Sequence, residues 1–305
     1  MGTSSFMASS CILVTGATGF IGGRLVPALL GEKHDVRAMT RRPNEYAGRG
    51  KAVGGDVHEP ETLGSALEGV DVAYYLVHSL DVEDFETRDA RAARAFGEAA
   101  ARAGVRQVVY LGGLGAEGTD LSAHLRSRRE VEGLLGAAGV PVTVLRAGIV
   151  VGHGGISWEL TRQLVKNLPA MVVPKWVATR TQPIAVDDVI RYLVGVADEP
   201  RAFDRVFELG GPEQMTYREM LEVASEIAGG HRVPIVQVPV LTPRLSSYWL
   251  SLVTDVDVTT GRNLIDSMST EVIVTDSSIQ ALVPGEPLSY AEAVRRALEN
   301  TDGAG

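Results

Sequence analysis

Short apolar runs that end in glycine or a polar turn alternate with longer stretches of helical spacing through the first half of the chain. Residues 11–15 (Cys-Ile-Leu-Val-Thr) are an uninterrupted apolar run, read as a buried strand. Residues 20–30 place apolar side chains at helical spacing. Residues 35–39 predict a second strand, 52–56 a third that leads to Asp56, and 60–68 a short helix. A fourth strand follows over 71–77. The Ala- and Arg-rich stretch 84–103 reads as a long helix ended by Gly104. Then come a strand over 105–111, a charged helix over 121–138 and a strand over 140–146. Strand and helix in this alternation require crossover connections, hence an α/β fold with a mostly parallel sheet covered on both faces.

After Gly148 the rhythm changes. Residues 157–168 predict a helix, 184–198 a strand running into a helix, and 205–211 another strand. Residues 216–228 predict a helix in which Thr216 and Glu219 have the capping-box spacing. The stretch 231–275 is rich in Pro, Ser, Thr and Trp with weak periodicity, and is assigned to a substrate-side lobe. The expected division is a disordered arm over 1–10, a large α/β domain over 11–211 with 150–183 contributing to the substrate side, a smaller α/β lobe over 212–299 and a frayed tail over 300–305.

Composition narrows the function. The 305 residues are 45% hydrophobic and 22% charged, with a net charge of −9. An acidic chain without a basic tract is unsuited to nucleic acid or an anionic membrane. The single cysteine, Cys11, excludes an intrachain disulfide and a cysteine-rich zinc site, and suits a cytoplasmic protein. No run approaches the ~18 apolar residues of a membrane helix, and residues 1–10 lack the pattern of a secretory signal. No His/Asp/Glu cluster has metal-ligand spacing, so no metal is expected. Gly-x-Ser-x-Gly is absent, so no nucleophile elbow is visible. The expected partner is a small-molecule substrate. A homodimer through 84–103 and 121–138 is one option that nothing in the sequence requires.

The candidate chemistry begins at Thr15-Gly16-Ala17-Thr18-Gly19-Phe20-Ile21-Gly22. Between a strand and a helix, Gly16 permits a tight turn, Gly19 lets backbone approach a pyrophosphate, and Gly22 lets helix and strand pack closely. The helix start offers N–H groups and partial positive charge to phosphates, and Thr18, Phe20 and Ile21 join the glycines as candidate contacts. At the end of the second strand NAD sites favour an acid, whereas this chain has Met39-Thr40-Arg41-Arg42-Pro43. Arg41 follows Gly22 by about 20 residues. Arg41 as first contact and Arg42 as second suit a ribose 2′-phosphate, which predicts NADP(H). The competing reading makes both solvated surface arginines. Asp56, followed by Val57, can accept from the adenine amino group or merely shape its turn. Leu76-Val77-His78 would run beneath the ribose and nicotinamide.

Together these residues resemble an atypical short-chain dehydrogenase/reductase of the NAD(P)H-binding NmrA-like/YbjT-like branch. The matching pieces are the glycine loop, the Thr-Arg-Arg-Pro turn, Gly54-Gly55-Asp56, the strand 71–79, 108–115 followed by 121–132, 140–152, 179–189 and 207–221. The resemblance implies a doubly wound (Rossmann) sheet of about seven strands, with the cofactor across its carboxyl ends. It does not carry over the family's usual catalysis. Where relatives have Tyr-x-x-x-Lys this chain has His124 and Arg128, and the Ser/Thr position falls among Gly112, Gly113 and Leu114.

His124 is then a candidate general acid or a helix-terminal histidine without chemistry. Arg128, one turn later, is given a binding role toward ribose or a substrate oxyanion. His78 is the second catalytic candidate or a loop histidine. Ala147 and Gly148 are small enough to let the nicotinamide carboxamide meet the backbone, and Arg146 either joins them or pairs with an acid. Trp158, Trp176 and Trp249 (with Tyr248) line an apolar pocket or belong to the core, and Arg180 and Gln182 fall at the pocket edge. Asp187 and Asp188 are read as helix N-capping acids. The functional expectation is an NADPH-dependent oxidoreductase acting on a small or medium apolar carbonyl, enone or quinone-like compound. A non-catalytic NADP(H) sensor or assembly subunit is the alternative. A sugar-nucleotide epimerase or dehydratase ranks last, because that chemistry leans on the missing tyrosine.

Overall fold

The computed structural model describes residues 9–79, 84–115, 121–168, 170–173, 175–237 and 267–302. Its centre is a seven-stranded, all-parallel sheet built from β1 (Cys11–Val14), β2 (Asp35–Thr40), β3 (Lys51–Gly54), β4 (Val72–Tyr75), β5 (Gln107–Gly113), β6 (Val142–Ala147) and β11 (Val206–Leu209), in the order β11-β6-β5-β4-β1-β2-β3. The chain winds outward one way from β1 to β3 and the other way from β4, so the switch point lies between β1 and β4. That is where an open α/β sheet forms a ligand crevice beyond the strands' carboxyl ends.

Side-chain alternation explains why these strands read as continuous apolar runs. Ile12, Val14 and Tyr74 point into one core layer, under α1 (Gly22–Gly31) and α6 (Val186–Gly195). Leu13, Tyr75 and Tyr110 point into the other, under α2 (Leu63–Leu67), α3 (Phe85–Ala103) and α4 (Ala123–Gly136). Both faces are buried, which fits the fold class read from the sequence.

A third core gathers the remaining elements. It holds α5 (Ile156–Asn167), α7 (Tyr217–Gly229) and α9 (Tyr290–Asp302), with α8 (Ile279–Leu282) lying instead against the first layer. Short pairs stitch it together: β7 (Val150–Val151) with β10 (Ile184–Ala185), β8 (Met171–Val173) with β13 (Ile235–Gln237), and β9 (Arg180–Thr181) with β12 (Met215–Thr216). The predicted capping box is present: Glu219 N donates to Thr216 Oγ1 at 3.2 Å and Thr216 N to Glu219 Oε2 at 2.7 Å.

Two expectations at the ends are corrected. Ser9 and Ser10 do not belong to a loose arm, because Ser10 is buried and its hydroxyl donates to Asp198 Oδ2 at 2.8 Å. The last helix extends to Asp302 instead of fraying after 299, its backbone carrying on for a turn beyond the buried Ala297. Among the described residues no helix is long and apolar enough to cross a membrane.

Candidate functional site

The glycine loop sits at the switch point. Thr15, fully buried, donates its N–H to Tyr74 O at 3.0 Å, and its hydroxyl oxygen accepts from Leu76 N at 2.9 Å. That side chain takes over the ladder where β4 leaves the sheet, which is why the fourth strand ends at Tyr75 and not at the expected Val77. Gly16 has φ +62°, a backbone conformation suited to glycine. A Cβ there would stand 3.0 Å from Leu76 O, and one at Gly22 only 2.2 Å from Gly16 O. Turn, β4 end and helix start are thus stacked at backbone contact, a cradle that any side chain would fill.

A cleft of about 570 Å³ opens from this cradle. It is lined by Gly16 and Thr18 of the loop, by Arg41, Arg42 and Asp56–His58 from the turns after β2 and β3, and by Val77 and His78 from the segment after β4. The two residues directly after β2 carry guanidiniums, Arg41 and Arg42, and the acid farther along the turn, Glu45, lines the same cleft and pairs with Arg42. The residues therefore fit a dinucleotide, with Gly16 and Thr18 lining the cleft at its glycine-loop end. Asp56 performs the turn role, since His58 N donates to Asp56 Oδ1 at 2.9 Å, and it also lines the cleft. Met39, Tyr46, His58, Ser79 and Arg88 line the cleft too and were missed in the sequence. Only His58, two residues beyond Asp56 in the same turn, carried a local signal.

At the other end the structure brings His78, His124 and Arg128 together. Ser122 caps α4 by accepting from Leu125 N at 3.3 Å, which sets the first turn that carries His124. Arg128 Nη1 lies 3.4 Å from the buried Tyr110 OH. Burial, then the Arg128 charge and His78, push His124 down to about 3. Partial burial and the Arg128 charge also push His78 below the usual histidine range, an effect tempered by the exposure of its side chain to solvent. Both imidazoles are thus biased toward their neutral form beside the Arg128 guanidinium. The Ser/Thr position of relatives is filled from outside: a Cβ at Gly113 would lie 2.7 Å from Leu125 Cδ2, and one at Gly112 would lie 2.9 Å from Glu132 Oε1.

Other candidates are placed elsewhere. Trp158 is 2% exposed and belongs to the third core, so it lines no open pocket. The Trp176 side chain, Tyr248 and Trp249 lie outside the described residues. Arg180 is exposed and bonds Gln214. Gln182 donates to Gly211 O at 2.7 Å and accepts from Val274 N at 3.0 Å, which ties β9 to its neighbours instead of presenting an amide to a substrate. Arg146 pairs with Glu132, its Nη2 2.6 Å from Oε2. Ala147 is buried at the end of β6 and Gly148 follows under Gln182 and Val272. Ile21 packs on the first core, and the Phe20 ring is turned onto Gly152 and Gly155 under Arg24, leaving backbone as their means of contact with a cofactor. Asp187 and Asp188 lie in the first turn of α6, whose N-cap is Ala185, so they do not cap it. They tie down the chain's end: Asp188 accepts from Leu288 N at 2.8 Å, and Asp187 pairs with Arg296 at 2.9 Å. Among the described residues no cluster of three metal-ligating side chains occurs.

Comparison with known proteins agrees with this geometry. Residues 16–199 match the family described as NAD(P)H-binding, and the chain belongs to that family. It is 27% identical over 262 residues to sterol demethylase protein B of Methylococcus capsulatus, covering 76% of this chain and 78% of that protein. It is 30% identical over 200 residues to a ceramide reductase of Caulobacter vibrioides, covering 63% and 62%. The triphenylmethane reductase of Citrobacter sp., solved with NADP(H), superposes with a TM-score of 0.77 at 20% identity, over 94% of this chain and 99% of that one, a likeness of fold.

Proposed function

We propose that this protein is an NADPH-dependent reductase of the NmrA-like branch, acting on a small or medium apolar carbonyl, enone or quinone-like acceptor. The observation that carries the reading is the convergence of Arg128, His124 and His78 beside the cleft in place of a Tyr/Lys/Ser set. A bound NADPH would supply the hydride. Gly16, Gly19 and Gly22 would hold its pyrophosphate and Arg41 the 2′-phosphate.

The chain's own residues then have a restricted task. Arg128 cannot give up a proton at neutral pH, but it stabilises negative charge developing on the substrate oxygen. Neutral His124 can donate an N–H hydrogen bond to the same oxygen without being a charged acid. This is electrostatic stabilisation of the oxyanion type, in which removing one donor costs about 10²–10³ in kcat. The final proton comes from water, because both imidazoles are held toward their neutral form. Acceptors whose reduced oxygen is a stable anion suit such a site better than simple ketones. The same reading puts the protein in the cytoplasm.

The missing tyrosine also supports a second reading, a non-catalytic NADP(H)-binding subunit. NADPH oxidation, followed across quinones, enones and ketones, separates the two. Turnover that falls about 100-fold in Arg128→Met supports the reductase. Tight NADPH binding with no oxidation of any acceptor refutes it.

A further inference from the structure

Three guanidiniums line the cleft, those of Arg41, Arg42 and Arg88. They are not equivalent. Arg42 Nη1 lies 3.3 Å from Glu45 Oε2, so a carboxylate from its own turn already meets its charge. Arg41 makes no hydrogen bond or ion pair among the described residues. Arg88, in the first turn of α3, donates from Nε to His58 Nε2 at 3.3 Å, and Ser79 Oγ stands 3.4 Å from the same nitrogen.

The partner of Arg88 is therefore a neutral ring and not an anion. His58 feels Arg88 and Arg41 together. Burial and these two charges hold it below the usual histidine range, against the opposing pull of Asp56 and Asp89. The bond to His58 uses only Nε, which leaves both Nη groups of Arg88 as a fork of the shape that matches phosphate oxygens. Two cations with no carboxylate in ion-pair contact thus flank one imidazole on the wall of one cleft, while the third arginine is paired with Glu45 in its own turn.

We propose that Arg88, oriented by His58, is the second cation that recognises the 2′-phosphate of NADP(H), acting with Arg41 in the place that the sequence assigns to Arg42. This rests on the reading of the cofactor as NADP(H). Arg88 lies some 45 residues from the Arg-Arg turn along the chain and reaches the cleft only because α3 starts beside the turn after β3.

The test uses the full chain with 2′,5′-ADP and 5′-ADP as probes, by calorimetry at neutral pH. The wild type binds 2′,5′-ADP the more tightly. Arg88→Met weakens 2′,5′-ADP about tenfold or more and 5′-ADP less than about twofold, whereas Arg42→Met changes either by less than about twofold. Arg88→Lys, which keeps the charge but loses the bond from Nε, falls between. A second readout is the His58 ring proton by NMR: saturation with 2′,5′-ADP raises the pKa of His58 and 5′-ADP does not, because the added phosphate offsets the two guanidiniums. The proposal is overturned if Arg88→Met weakens both probes equally or neither, or if Arg42→Met removes the discrimination. A wild type with no preference between the probes overturns the NADP(H) reading along with it.

Discussion

Arg146 at the end of β6 grips Glu132 on α4 with two arms: Nη2 lies 2.6 Å from Oε2, and Nε lies 3.1 and 3.2 Å from the two carboxylate oxygens. Both side chains are about nine-tenths buried, at 10% and 9% exposure. Glu132 is one turn beyond Arg128, so this pair seats the helix face that carries the candidate catalytic cation. Arg129 Nη1 stands 3.5 Å from the same Glu132 Oε2, so losing Glu132 takes a carboxylate from two guanidiniums at once, and breaking a buried pair from one side costs about 3–5 kcal/mol. Glu132→Gln is accordingly expected to lower stability in urea by that amount. The double variant Glu132→Leu/Arg146→Met, in which Arg129 loses its carboxylate but keeps Gly115 O, is expected to be milder than Glu132→Gln, and equal losses in both would remove this reading of the pair.

Gly22 is the position at which the cradle has no slack. Its missing Cβ would fall 2.2 Å from Gly16 O and 2.8 Å from Ala17 Cα, both backbone atoms that cannot rotate away. Gly22→Ala is expected to cost at least about 2 kcal/mol and to abolish measurable NADPH binding, read by thermal unfolding with and without the nucleotide. The exposed Gly64, which has open space around it, serves as the control, and Gly64→Ala there leaves binding intact.

The two imidazoles of the site make stability depend on pH with a definite sign. His124 and His78 have folded values lowered from that of a free histidine. Below about pH 6.5 the unfolded chain therefore takes up protons that the native chain refuses, and stability falls as pH drops toward about 3. His124→Gln is expected to flatten that slope between pH 6 and 4 in chemical denaturation. An unchanged slope means that the ring titrates normally in the fold.

The capping box on α7 provides a purely structural control. Thr216→Ala removes the acceptor for Glu219 N and is expected to cost about 1 kcal/mol. NADPH affinity should not move, because Thr216 lies on the lobe and not in the cleft.

The sequence showed well whatever is written in consecutive residues. Buried strands announce themselves as apolar runs, the glycine loop as strand, turn and helix, and the α7 cap as Thr216 and Glu219 three apart. The absence of an acid directly after β2 was equally visible. What escaped depends on contacts between distant segments. β4 stops at Tyr75 because of the Thr15 hydroxyl, sixty-one positions from Leu76. Trp158 reads as either a pocket or a core aromatic until α5 is seen packed into the third core. Arg88 is one of many arginines on a charged helix, and nothing local separates it from Arg91 or Arg94. His78, His124 and Arg128 were all singled out, yet that Arg128 stands beside His78 as well as His124 follows only from folding.

Calorimetric titration of the wild type and Arg41→Ala with NADPH and NADH tests the central claim most directly. The account predicts that NADPH binds more tightly than NADH to the wild type, and that Arg41→Ala lowers NADPH affinity about tenfold or more with little change for NADH. No detectable NADPH binding, or equal affinity for the two nucleotides that survives loss of Arg41, would contradict it.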